Sequence, residues 1–113
     1  KEVPVLQIHG TEDPIVTYEG NSSIGSIGIE SVLSYWKSNN YCDESETTEL
    51  YDSNPNDSFY VHRILFDNGA NGSKVDHYKV YGGEHFWFME DDINSSELIW
   101  DFFSQHDLNG YIN

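Results

Sequence analysis

The run Val3-Pro4-Val5-Leu6-Gln7-Ile8 is almost continuously apolar and is cut off by His9-Gly10 and a polar turn, Thr11-Glu12-Asp13-Pro14. A short apolar run bounded by turn residues is the pattern of a strand buried on both faces, and such strands belong to parallel sheets covered by helices. Pro4 has no N–H, so it fits only at the strand's first residues, where no ladder bond is lost. The segment therefore points to an α/β fold.

The rest of the chain supplies the other elements. Thr17 to Gly25, with Gly20, Asn21, Ser22 and Ser23, has the composition of a surface loop. Ile29, Val32, Leu33 and Trp36 recur at i, i+3, i+4 and i+7, which predicts a helix from about Ser26 to Asn40, capped by Ser26 and with Glu30 in its first turn. Asp43 to Asp57 reads as a solvated acidic loop with at most one short edge strand, at Thr48 to Tyr51. Phe59 to Phe66 and Val75 to Tyr81 are β-rich runs joined by a Gly- and Asn-containing turn, the signature of a β-hairpin. Within the second run, Val75, His77, Lys79 and Tyr81 fall on one face and Asp76, Tyr78 and Val80 on the other. Asn94 and Glu97 form a capping-box-like pair ahead of Leu98, Ile99, Phe102 and Phe103, which predicts a last helix from about Ser95 to His106.

Charge narrows the partners. The 113 residues include 20 Asp and Glu against 5 Lys and Arg, a formal net charge of -15. Polyanion binding works by releasing counterions from clustered basic residues, and five scattered ones form no such stripe. Nucleic acid and anionic membrane surfaces are therefore excluded as expected partners. Cys42 is the single cysteine, so no internal disulfide and no thiolate metal site can form. Asp52, Asn54 and Asn56 match the first positions of a calcium loop, but Asp57 and Arg63 stand where Gly and a bidentate Glu are required. No metal or other cofactor is expected.

The order strand, turn with Asp13, helix, hairpin, turn with His85, helix is suited to one kind of chemistry. Side chains just past the carboxyl ends of parallel strands converge on one crevice, and a His there needs an acid to fix its tautomer. Asp13 and His85 are the candidate catalytic pair. Trp87, two residues beyond His85, is the candidate substrate-binding aromatic, whereas Trp36 lies on the apolar stripe of the first helix and is assigned to the core. His9 is assigned a structural part at the strand end.

The string Pro4-Val5-Leu6-Gln7-Ile8-His9-Gly10-Thr11-Glu12-Asp13-Pro14-Ile15-Val16 resembles the acid-bearing strand and loop of α/β-hydrolases. Gly82-Gly83-Glu84-His85-Phe86-Trp87 resembles their catalytic His turn, and Ile99-Trp100-Asp101-Phe102-Phe103-Ser104-Gln105-His106 their last helix. Over nearly the whole chain the likeness is to the polyhydroxybutyrate depolymerase and feruloyl esterase family of secreted serine esterases. It implies Asp13 as triad acid, His85 as general base, a secreted or periplasmic location, and an ester substrate: a polyester, or a feruloylated or acetylated polysaccharide. Glu84 and Phe86 stand where the family has Gly and a small or hydroxyl residue, and Phe86 with Phe88 is expected to reshape the leaving-group side of a pocket.

One component is missing. In α/β-hydrolase order the nucleophilic Ser precedes the acid, yet none of the twelve residues before Asp13 is Ser and no Gly-x-Ser-x-Gly occurs. Residues 1–113 are thus expected to be the C-terminal portion of one α/β-hydrolase domain, with the nucleophile-bearing N-terminal half outside this sequence. Alone, the chain is expected not to hydrolyse esters. Two alternatives stand beside this reading: part of a prolyl-oligopeptidase-like serine peptidase, or a non-catalytic acidic interaction module. The distance from the Asp13 carboxylate to the His85 ring discriminates the enzyme readings from the module.

Overall fold

A computed structural model describes residues 1–43, 47–53, 56, 58–85, 88, 92–107 and 110–111. The elements run β1 (Val5–Gly10), β2 (Gly20–Asn21), β3 (Ser26–Ile27), α1 (Ile29–Asn39), β4 (Thr47–Tyr51), β5 (Tyr60–Phe66), β6 (Val75–Tyr81), α2 (Ser95–Ser104), β7 (His106–Asp107) and β8 (Gly110–Tyr111). The fold is a small α/β domain around a mixed sheet of order β1-β6-β5-β4. β1 and β6 are parallel, Val5 opposite Val75; β6 and β5 form the antiparallel hairpin, and β4 adds to its far side.

The alternation of β6 decides how the layers form. Val75 faces α1 and packs with Tyr18, Ile29 and Leu33, flanked by Val5, Trp36 and Phe66. Tyr78 and Val80 face the other way, packing with Val61, Phe88 and Ile93 against Leu6, Ile8 and Leu98 of α2. Each fully buried side chain of this kind contributes roughly 1.5–3 kcal/mol of transfer free energy. Asp76 also lies on the α2 face, where it is buried and held by a fork from Arg63: Nε to Oδ1 at 2.9 Å and Nη2 to Oδ2 at 2.8 Å. The remaining Arg63 nitrogen, Nη1, donates to Glu49 at 2.7 Å.

Four expectations change. β1 is partly rather than fully buried, because it has β6 on one side and, among the described residues, no strand on the other. α1 begins at Ile29 with Gly28 as its N-cap, so Ser26 is not the cap. Ser26 pairs with Asn21 in the β2–β3 arm, and the first helical N–H, that of Ile29, bonds to the Tyr18 carbonyl at 2.8 Å. The supposed surface loop thus contains a short two-stranded arm, and Tyr18, at its base, is buried. The last helix is capped as its sequence suggests, with Asn94 accepting from the Glu97 N–H at 3.1 Å, but it stops at Ser104.

Candidate active site

Two turns meet beyond the carboxyl ends of β1 and β6. The Thr11 N–H bonds to the Val80 carbonyl and the Glu12 N–H to the Gly83 carbonyl, each at 2.9 Å. The Thr11 hydroxyl accepts from the Gly82 N–H at 3.0 Å. Backbones approach this closely only because Gly10 has no side chain: a Cβ there would lie 2.2 Å from the Gly83 oxygen. Gly10→Ala is expected to cost about 1–3 kcal/mol by overpacking and to disturb the pairing of Asp13 with His85. Thermal melts and the His85 ring resonances report both effects, and an unchanged melt would contradict this account of the contact.

Asp13 is set by its own turn. Its Oδ1 accepts the N–H groups of Ile15 and Val16, each at 2.8 Å, which is the local bonding that favours Asp before a turn. Oδ2 is thereby directed to His85, whose Nδ1 lies 2.8 Å away. Asp13 is buried, while the His85 side chain is 55% exposed. Burial pushes the Asp13 carboxyl up, but the bond from His85, the Val16 and Ile15 N–H groups and the His85 charge together hold it below its ordinary value. A carboxyl lowered in the folded state stabilises the fold above the ordinary Asp range and loses that contribution as the pH falls through its own pKa.

In the neutral ring, with Nδ1–H donating to the carboxylate, the lone pair of His85 is on Nε2, the arrangement a general base requires. A cleft of about 360 Å³ opens here, lined by Ile8, His9, Asp13, Glu84, His85 and Phe88. Phe88, buried against Val80 and Ile93, forms its apolar wall. His9 bonds through Nε2 to the Val16 carbonyl at 2.6 Å and stands 3.6 Å from Asp13 Oδ2, so it braces the acid loop. Trp87 and Phe86 lie outside the described residues. A larger cavity, about 500 Å³, follows the open edge of β1 between Trp36 on one side and Ile99 and Phe103 on the other. Among the described residues, no acidic or basic side chain lines it, whereas Asp13, Glu84 and His85 line the smaller cleft.

Among the described residues, no three His, Cys, Asp or Glu side chains gather as a metal site, and no helix is long and apolar enough to cross a membrane. Sequence reasoning placed Asp13 and His85 on facing turns but missed Tyr18 and His77, which anchor the acid loop from below. The one available signal was a His two residues from Val75 on one strand face and a Tyr at the start of a segment of loop composition, and it does not specify that they meet. Compared with protein-family models, curated proteins and solved structures, the chain matches none.

Proposed function

We propose that this chain is the acid-and-histidine portion of a serine carboxylic-ester hydrolase, akin to the polyhydroxybutyrate depolymerases and feruloyl esterases. The observation that carries the reading is the 2.8 Å contact between Asp13 Oδ2 and His85 Nδ1, made across 72 residues at the ends of two parallel strands. An acidic interaction module has no need of a buried carboxylate aimed at the ring nitrogen of an exposed His.

In the reaction, a Ser hydroxyl from the nucleophile-bearing half attacks the ester carbonyl while His85 Nε2 takes its proton. The same nitrogen returns that proton to the departing alkoxide, leaving an acyl-enzyme that water, activated in the same way, hydrolyses. Asp13 keeps the proton of the resting imidazole on Nδ1 and stabilises the imidazolium that forms. The oxyanion hole comes with the nucleophile elbow and so belongs to the other half. The open edge of β1 and the apolar cavity along it are consistent with further sheet on that side. The site of action is secreted or periplasmic.

The test is the coding sequence upstream of Lys1, followed by assay of the complete protein. A Gly-x-Ser-x-Gly between a strand and a helix, with ester cleavage by the whole protein and none by this chain, is the expected result. Absence of a nucleophile there, or activity untouched by His85→Ala, sinks the proposal. Preference for peptide over ester substrates would shift it to the prolyl-oligopeptidase-like variant.

A further inference from the structure

Below the acid loop lies a chain of polar contacts with no part in the proposed chemistry. His77, wholly buried on β6, lies with Nδ1 3.0 Å from the Gln7 carbonyl of β1 and Nε2 3.0 Å from the Tyr18 hydroxyl. The same Tyr18 hydroxyl is 2.6 Å from Oε2 of Glu30 in the first turn of α1. Gln7 and Tyr18 flank the segment that carries Asp13, so one imidazole holds both ends of the acid loop.

Counting hydrogens makes the contact set unusual. Three contacts need three hydrogens. The Gln7 carbonyl only accepts, so His77 Nδ1 must carry one. A Tyr hydroxyl has a single hydrogen and can satisfy either the His77 or the Glu30 contact, not both. Neutral His77, neutral Tyr18 and ionised Glu30 supply two hydrogens and leave two acceptors facing each other: His77 Nε2 and the Tyr18 oxygen in the buried interior, or the Tyr18 oxygen and the Glu30 carboxylate where Glu30 reaches the surface. We infer that the His77–Tyr18–Glu30 chain holds one extra proton in the folded protein and that this proton locks the acid loop to the sheet and to α1.

Two arrangements meet the count: imidazolium with carboxylate, or neutral imidazole with carboxylic acid. The surrounding groups pull in both directions. Burial, the largest influence, holds the His77 imidazole below its ordinary value, with Lys79 and His9 acting the same way, while the bond to Gln7 and the Glu30 charge oppose this without reversing it, which favours the second arrangement. Lys79 also sits over the Tyr18 ring at 4.7 Å, with Glu19 and Tyr81 nearby. In the unfolded chain His and Glu titrate near ~6.5 and ~4.3, so above about pH 6.5 the folded state binds a proton that the unfolded state lacks. Linkage then makes this contribution to stability fall as pH rises through the network's own titration.

Glu30→Gln tests the inference directly, because the amide supplies the third hydrogen covalently. From pH 5 to 8.5, the full chain with Glu30→Gln is expected to lose less of its melting temperature than the wild type. Placing Tyr18→Phe in both backgrounds should abolish that difference. A parallel pH dependence of wild type and Glu30→Gln overturns the inference. Nuclear magnetic resonance at pH 7 gives an independent reading: both His77 nitrogens protonated, or a protonated Glu30 carboxyl, supports it. A neutral His77 beside an ionised Glu30 overturns it. Neither measurement depends on esterase activity.

Discussion

In the complete Ser-bearing protein, Asp13→Asn is expected to lower kcat about 10⁴-fold, the scale on which a wrongly protonated catalytic imidazole acts. The reason lies in the turn. Oδ1 of residue 13 is claimed by the Ile15 and Val16 N–H groups, so an Asn places its carbonyl oxygen there and its NH₂ toward His85. That NH₂ donates to Nδ1, the imidazole proton moves to Nε2, and no lone pair is left to accept the Ser proton. The turn itself survives, so folding should change little. Nitrogen-15 shifts of His85 read the tautomer exchange in this chain without any nucleophile, and kcat reads its consequence in the whole protein. Retention of the Nδ1–H tautomer, or a loss below tenfold, would refute the assignment.

Arg63→Leu is expected to cost about 3 kcal/mol of stability, because removing the half-buried guanidinium leaves the buried Asp76 carboxylate uncompensated. Asp76 is 3% exposed and takes both its bonds to Arg63 from the guanidinium fork. The double variant Arg63→Leu with Asp76→Leu should recover much of that loss, since apolar residues of similar volume suit the α2 face. Urea unfolding of the two single variants and the double gives the coupling. A loss under about 1 kcal/mol for Arg63→Leu, or plain additivity, would show that the pair is effectively solvated.

How far the fold could be read follows from what each pattern encodes. The β5–β6 hairpin and the Asn94 cap rest on local spacing, and both are present where their residues indicated. The two turns carrying Asp13 and His85 are likewise local, and a parallel β1–β6 pair is what brings them within 2.8 Å. What could not be read depends on neighbours distant in sequence. The apolar run at Val5–Ile8 says that a strand is buried somewhere, not how many strands flank it. Ser26 looks like a helix cap by composition, but the Tyr18 carbonyl takes the first helical N–H at Ile29 and Ser26 pairs with Asn21. Tyr18 and His77 are single polar rings whose partnership exists only once the loop folds back over β6.

The topology also sets an order in time. Phe66 and Val75, which close the hairpin, are only nine residues apart along the chain, whereas Gln7 and His77 are 70 residues apart. Loop-closure entropy for the longer span costs about 2 kcal/mol more, so the hairpin can form early and β1 joins last. The Asp13–His85 contact then cannot precede the final docking step. In refolding followed residue by residue, His85 should reach its native resonance after Tyr60 to Tyr81, and its arrival ahead of the hairpin would reverse this sequence of events. The dyad would thus mark the end of folding, and a chain halted before that step would carry both residues yet lack an oriented base.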